Sequence, residues 1–522
     1  MSIHVRRCRS SIPRGICSVL WASRLSQRQS LHTGNAYITQ NPDESLEAAK
    51  RDTHFAVKDN IAARGLPTTC ASNILAGQEI PFSATIVQQL QRRNLTVIGK
   101  TNMDEFGMGT HSTASAVGRV SNISPIEERS AGGSSGGSAV AVSAGTTDLA
   151  LGTDTGGSVR MPAAYTETVG FKPSYGMISR WGVVPYANSL DTVGFIAQTV
   201  GEIESVIASV RAEHDLRDPT SLTQATRERC MAQERQVPPS VEQRKGEWLR
   251  GLTFGIPIEY NIEELDPRIK AGWMQCAQKI RDLGGRVVPV SLPSTKNALS
   301  AYYVIAPAEA ASNLSKYDGI RYGKRAEGAT TDALDGVLYA KTRGNGFGPE
   351  VKRRVLLGSY TLSSKAIDNY FIQAQKVRQL VRKDFDRVFK LSNPLCDEAP
   401  FDLSEMDESI SLENKLGPTQ VDFIISPTAP TPPPRLEDVA KQTPLDSYMN
   451  DVFTVPASLA GLPAISIPMD IPVDTTSEEE KLLNFGGLQI IGQFWDDMTL
   501  LAVAQGLSPE ISSRVANVTK EL

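Results

Sequence analysis

Cysteine and histidine are scarce in this 522-residue chain, and their scarcity removes several kinds of chemistry. The six cysteines (Cys8, Cys17, Cys70, Cys230, Cys276, Cys396) include no pair at C-x-x-C spacing. Neither a zinc site nor a disulfide framework is indicated, and reduced, mostly buried thiols are expected. The five histidines, at positions 4, 32, 54, 111 and 214, fall in no H-E-x-x-H or other ligand spacing, so hydrolysis without a metal is expected. No stretch of 18 apolar residues occurs, which leaves a membrane-spanning helix unsupported. A formal net charge of -4 gives no global pull toward phosphates, so any nucleic acid is expected to be held mainly by a partner. The G-x-x-x-x-G-K-[ST] and G-x-G-x-x-G nucleotide motifs are also missing.

What is present is the composition of an ordinary globular protein, 40% hydrophobic and 21% charged, with one compositional break near the start. The first acidic residue is Asp43, whereas Arg6, Arg7, Arg9, Arg14, Arg24 and Arg28 lie among many serines. That pattern predicts a mitochondrial presequence over residues 1–34, followed by one large domain over 35–522.

Within the domain, strand and helix patterns alternate, which predicts an α/β fold. Phe55-Ala56-Val57 reads as a buried strand that ends at Lys58; residues 84–93 read as a helix and 95–99 as a strand. Strands are also expected at 252–256, 287–290 and 423–425. Asp266-Pro267 supplies a cap with proline at the first helical position. Ile269, Trp273, Cys276, Ile280 and Leu283 then form one apolar stripe up to Gly284-Gly285. The polar stretch 211–246 and the acidic stretch 397–413 are expected to be surface loops, and the proline-rich run 427–434 a rigid exit from a strand.

The chemistry concentrates after Ala131, in A-G-G-S-S-G-G-S-A and then G-T-D-T-G-G-S-V-R-M-P-A-A. Ser134 and Ser158 are flanked by glycines, which let backbone approach a ligand closely. Glycine and serine also make flexible linkers, but these runs are embedded in apolar, strand-like and helix-like text, which favours a buried anion or oxyanion site. A serine hydroxyl attacks only when a base removes its proton. His54 and His111 have no evident orienting carboxylate, which leaves Lys58 and Lys100, both at strand ends. A lysine serves as base only where desolvation holds it neutral. Spacing alone does not choose between the two.

Together with the V-K-D-N element at Lys58, this block resembles the amidase signature family, whose two serines show the same separation of 24 positions. The resemblance implies a central mixed β-sheet covered by helices on both faces. It implies Lys58 as base, Ser134 as bridging serine and Ser158 as acyl-forming nucleophile. The backbone amides of Thr155, Gly156 and Gly157 would form the oxyanion hole, worth about 3 kcal/mol per donor, and Lys100 would be a structural neighbour. The likeness runs over nearly all of residues 35–510. N-M-D-E-F-G-M-G-T from Asn102, A-Y-Y-V-I-A-P-A-E-A-A-S-N-L from Ala301 and G-F-G-P-E-V-K-R-R resemble the glutamine-dependent tRNA amidotransferase branch of the family.

In that branch a tyrosine, an arginine and an aspartate grip free glutamine; here they fall at Tyr302 (or its neighbour Tyr303), Arg354 and Asp451. A guanidinium fork suits an α-carboxylate, and a carboxylate suits an α-ammonium. The resemblance further implies glutamine as substrate, a B-type amidotransferase subunit that handles Glu-tRNA(Gln) with ATP and magnesium, and a small third subunit. No cofactor is expected in this chain. A stand-alone amidase for a small hydrophobic amide would instead need an apolar pocket in place of Arg354 and Asp451. The chain departs from the family pattern in its short approach to Lys58, in the acidic segment 397–413, and in Ala131 where proline is common; none of these touches the triad.

Overall fold

The computed structural model describes residues 34–41, 53–123, 127–235, 246–327, 338–396, 419–472 and 485–512. The arginine-rich leader up to residue 33 and the acidic stretch 397–413 lie outside these. Among the described residues, eleven strands form one sheet in the order β1-β3-β2-β4-β6-β5-β10-β11-β9-β7-β8. In chain order they are β1 (Tyr37–Gln40), β2 (His54–Lys58), β3 (Thr96–Thr101), β4 (Leu149–Asp154), β5 (Val169–Lys172), β6 (Thr192–Ala197), β7 (Thr253–Pro257), β8 (Arg286–Val290), β9 (Phe423–Pro427), β10 (Ala464–Asp470) and β11 (Phe485–Ile491). The sheet is mixed: β2 runs parallel to β3 and β4, whereas β4 pairs antiparallel with β6 and β10 with β11.

Successive side chains of a strand face opposite sides of a sheet. β2, β4, β6, β9 and β11 are buried at every residue, so both faces of the central sheet are covered. The partly exposed strands β1 and β8 mark the edges. The expected α/β architecture is therefore the observed one.

The strand-helix-strand unit read from the sequence is present. Asp266 accepts from the Arg268 amide at 2.8 Å, the helix runs Pro267–Asp282, and Ile269, Trp273, Cys276 and Ile280 are buried. Gly284 then turns the chain at φ +87°, which suits a residue without Cβ. The stretch 211–246 departs from its expectation as a loop, because it contains the helix Gln224–Ala232. Polarity hid this helix. Its anchor is the guanidinium of Arg227, which donates to the carbonyls of Leu222, Gly176 and Met177 at 2.9, 3.1 and 2.9 Å. Thiols behave as expected where described: Cys70, Cys230 and Cys276 are buried, while Cys396 is exposed. No described helix is long and apolar enough to cross a membrane.

A second buried guanidinium joins the two halves of the chain. Arg160 forks onto Asp154 with Nε and Nη2 at 2.9 and 2.8 Å. It also donates to the Thr454 carbonyl at 2.9 Å, Gln489 Oε1 at 2.7 Å and Ser458 Oγ at 2.9 Å. Burial alone would raise the Asp154 carboxyl, but Arg160 and the amide of Val159 hold it below its usual range. Breaking such a buried pair from one side leaves an uncompensated charge. Arg160→Ala is therefore expected to cost about 3–5 kcal/mol. This would be read as a fall in the urea midpoint at constant slope; an unchanged midpoint would show that the pair contributes nothing to folding.

Candidate active site

Lys58 closes β2, and its side chain has no solvent exposure. Its Nζ lies 2.7 Å from Ser134 Oγ, 2.8 Å from Ser135 Oγ and 3.4 Å from the Thr153 carbonyl. Among the described residues no carboxylate pairs with it at salt-bridge distance. Burial lowers its pKa to about 7, even though Asp104, Asp154 and Asp191 act in the opposite direction. A neutral amine has two N–H donors and one lone pair, and three neighbours satisfy all of them when the Ser134 hydroxyl donates to the nitrogen.

Strand register settles which lysine meets the serines. Val57 pairs with Lys100 and Lys58 with Thr101, so the two lysines point to opposite faces of the sheet. Thr101 Oγ1 meets Ser138 Oγ at 2.7 Å, which puts the serine-bearing helix Gly136–Ser143 on the Lys58 face. Lys100 instead lies 3.3 Å from Asp59 and donates to Thr68 Oγ1 at 2.9 Å. Burial also lowers Lys172 to about 7, but its Nζ donates to the Pro173 carbonyl and reaches neither serine. A depressed pKa alone does not distinguish the two candidates; the contact of Lys58 with Ser134 does. His111 is no rival: burial holds it down to about 4, and its ring sits between Ser130 and Asn450.

Ser134 and Ser135 lie immediately before the helix Gly136–Ser143, at a turn that Asp104 cradles. The Asp104 amide donates to the Ser134 carbonyl at 3.2 Å, while its carboxylate accepts from the amides of Ser112 and Ala114, both at 2.9 Å. A Cβ on Gly133 would come within 2.2 Å of that carboxylate, which is why glycine precedes the serine.

Ser158 lies just before the helix Arg160–Tyr165, and its carbonyl accepts from the Ser135 amide at 3.1 Å. This bond ties the two serine loops together. Ser158 is half-buried, and its hydroxyl makes no hydrogen bond to the protein among the described residues.

The backbone N–H groups of Thr155, Gly156, Gly157 and Ser158 likewise find no acceptor within the described protein. Thr454 Oγ1 donates to the Gly156 carbonyl at 2.6 Å, and in a trans peptide this turns the Gly157 N–H the opposite way. Thr155 Oγ1 donates to Asp191 Oδ1 at 2.7 Å. Glycine is required here by space as well: a Cβ on Gly156 would lie 2.6 Å from Tyr302 Cζ, and one on Gly157 2.3 Å from Thr454 Oγ1.

Tyr302, Arg354 and Asp451 gather beside this loop. Tyr302 packs on Gly156, whereas its neighbour Tyr303 donates to Asp451 Oδ2 at 2.7 Å. Both tyrosines thus face the site in different capacities. Burial raises Asp451 to about 7, although the Tyr303 hydroxyl and the Arg354 charge favour its ionised form. The Arg354 guanidinium carbon lies 5.3 Å from the ring centres of Tyr303 and Tyr448 and 5.8 Å from that of Tyr186. Its Nη1 donates to Tyr186 at 2.8 Å and its Nε to Glu350 at 2.7 Å. This caged cation excludes a purely apolar pocket. A surface cavity of about 340 Å³ lies beside the site, lined by Asp191, Arg180, Trp181 and Lys316 among others, but by neither serine.

The chain belongs to the Amidase family, which it matches over residues 53–501. It is 59% identical to the A-type subunit of the mitochondrial glutamyl-tRNA(Gln) amidotransferase of Podospora anserina, across 88% of this chain and 89% of the relative. The protein of the same name from Neurospora crassa is 53% identical, with 97% and 98% covered. Among solved structures, the A-type subunit of glutamyl-tRNA(Gln) amidotransferase from Thermotoga maritima superposes with a TM-score of 0.66 at 32% identity, over 94% of this chain and 90% of that one.

Sequence reasoning missed several residues that the structure brings to the site. Ser135 touches Lys58, Asp104 holds the Ser134 turn, Thr454 orients the Gly156 peptide, and Tyr186 and Tyr448 complete the cage around Arg354. Asp104 and Ser135 lie within or beside the quoted motifs, and Tyr448 and Thr454 each stand three residues from Asp451; only Tyr186 is remote from every residue singled out.

Only neutral Lys58 carries a lone pair, so turnover should rise with pH through about 7 and level above it. A kcat profile that is flat over about pH 6 to 9 would contradict Lys58 as the base.

Proposed function

We propose that this chain is the glutaminase subunit of a mitochondrial glutamyl-tRNA(Gln) amidotransferase. The observation that carries the reading is the buried Lys58 amine on Ser134, set beside the unpaired amides of the Ser158 loop. The extensive identity to relatives bearing that name supports the substrate class. The buried cation of Arg354 and the carboxylate of Asp451 favour an amino acid over a small apolar amide.

In this reading Arg354 holds the α-carboxylate of glutamine, Asp451 its α-ammonium, and Tyr302 or Tyr303 completes the grip. Ser158 attacks the γ-carboxamide while its proton passes to Ser134, and the Ser134 proton passes to Lys58. The Ser158 hydroxyl, held by no protein group, turns onto Ser134 when substrate seats, since catalytic contacts commonly tighten on binding. The amides of Thr155, Gly156 and Gly157 receive the oxyanion. Collapse expels ammonia, which takes its proton back along the same path. Water then frees Ser158 from the γ-glutamyl ester, leaving glutamate. Ammonia is consumed at the B-type subunit of the amidotransferase, where ATP and magnesium activate Glu-tRNA(Gln), with a small third subunit in the complex. Residues 1–34 act as the mitochondrial presequence.

Ser158→Ala is expected to lower glutamine hydrolysis by about 10⁴-fold or more without loss of assembly with the partner subunits. Ammonia release at the parental rate would reject Ser158 as nucleophile. Arg354→Ala removes a charge-assisted contact worth about 1.5–3 kcal/mol, which corresponds to a roughly 10- to 100-fold higher KM for glutamine. An unchanged KM would place the α-carboxylate elsewhere. Because Asp451 must be ionised to receive an ammonium, the KM should also climb as pH falls below about 7.

A further inference from the structure

The helix Pro349–Thr361 has two unlike faces. Its inner face buries Val351, Arg354, Gly358 and Thr361. A Cβ on Gly358 would fall 1.9 Å from the Pro307 carbonyl, so glycine allows this helix to lie directly on Ala298–Asn313, the helix that carries Tyr302 and Tyr303. At its start, the Gly348 amide donates to Glu105 Oε2 at 2.7 Å, and Glu105 directly follows the Asp104 that cradles Ser134. The helix is thus fastened to both the glutamine residues and the serine turn.

Its outer face leaves Leu356 72% and Tyr360 58% exposed, with Leu357 beside them. The patch continues onto the next helix, Phe371–Val388, where the Tyr370 ring lies 5.8 Å from that of Tyr360 and Ile372 is exposed. Exposed charge around it is mostly of one sign, Lys352, Lys365 and Lys376 against Asp368, while Arg353 is paired with half-buried Glu350. Contiguous apolar surface rimmed by charge is the form of an interaction site. Aliphatic Leu356, Leu357 and Ile372 cannot stack on bases, so the surface favours protein over RNA.

We propose that this outer face seats an acidic, amphipathic segment of a partner protein in the complex, and that seating it fixes the helix carrying Arg354. The inference rests on the reading of this chain as one subunit of an amidotransferase. Leucine and tyrosine anchors enter the partner's apolar stripe while the lysines meet its carboxylates. Occupation of the outer face thereby reaches the glutamine site on the inner one through a single rigid element.

The test is coexpression of the chain with its two partner subunits, comparing the parent with Leu356→Asp/Tyr360→Asp and with Lys352→Glu/Lys365→Glu. Both variants alter exposed side chains, so the melting temperature of the full chain should stay at the parental value. The apolar pair should weaken assembly by at least about tenfold. The charge pair should weaken it most at low salt, and the glutamine KM of whatever complex remains should rise. Both variants assembling like the parent, with the parental KM, would overturn the proposal. So would normal assembly with loss of tRNA binding alone, or a self-association of the parent that the variants abolish. Failure of the parent itself to assemble would instead strike the assignment of this chain to a complex.

Discussion

An amine enclosed by protein, with hydroxyls and one carbonyl for company and no described carboxylate in contact, is the constraint on which the site depends. In water Lys58 would carry a proton at neutral pH and have no lone pair to offer. Burial at the end of β2 lowers its proton affinity to about 7, and the 2.7 Å contact with Ser134 directs the lone pair at a hydroxyl. The nearby carboxylates of Asp104, Asp154 and Asp191 oppose that shift without abolishing it. Each is itself occupied: Asp104 by backbone amides, Asp154 by Arg160, and Asp191 by Thr155 and two amides. Negative charge is thereby used to shape loops without pairing with the Lys58 amine.

The second constraint is closure between early and late parts of the chain. The serine loops follow β3 and β4, while Thr454, Asp451 and Gln489 come from beyond residue 450. Arg160 bridges them, donating to Asp154 on one side and to Thr454, Ser458 and Gln489 on the other. A buried ion pair of this kind adds little net stability over an apolar substitute, since two charges must be desolvated. Its donors have fixed directions, however, and Thr454 in turn orients the Gly156 peptide. Here the polar network specifies geometry.

Much of this was legible in the sequence because local signals agreed. Phe55-Ala56-Val57 announced the strand that delivers Lys58, and paired glycines announced turns on which Ser134 and Ser158 stand. Asp266-Pro267 and the apolar stripe after it defined a helix almost to the residue. Other features were illegible for physical reasons. Lys58 and Lys100 are both buried near the ends of neighbouring parallel strands, and only the pairing register, with its alternation of faces, separates them. The helix Gln224–Ala232 has no apolar stripe and is held by a guanidinium on carbonyls, so periodicity could not find it. The cage of Tyr186, Tyr303 and Tyr448 around Arg354 draws on three distant segments, which no local pattern connects.

The most direct test is the ionisation of Lys58 itself, followed by ¹⁵N NMR of lysine side-chain nitrogens in labelled protein, with the signal assigned by its loss in Lys58→Met. A midpoint near 7 is predicted. A midpoint near the ordinary lysine value of about 10.4 would leave the serines without a base and contradict the account.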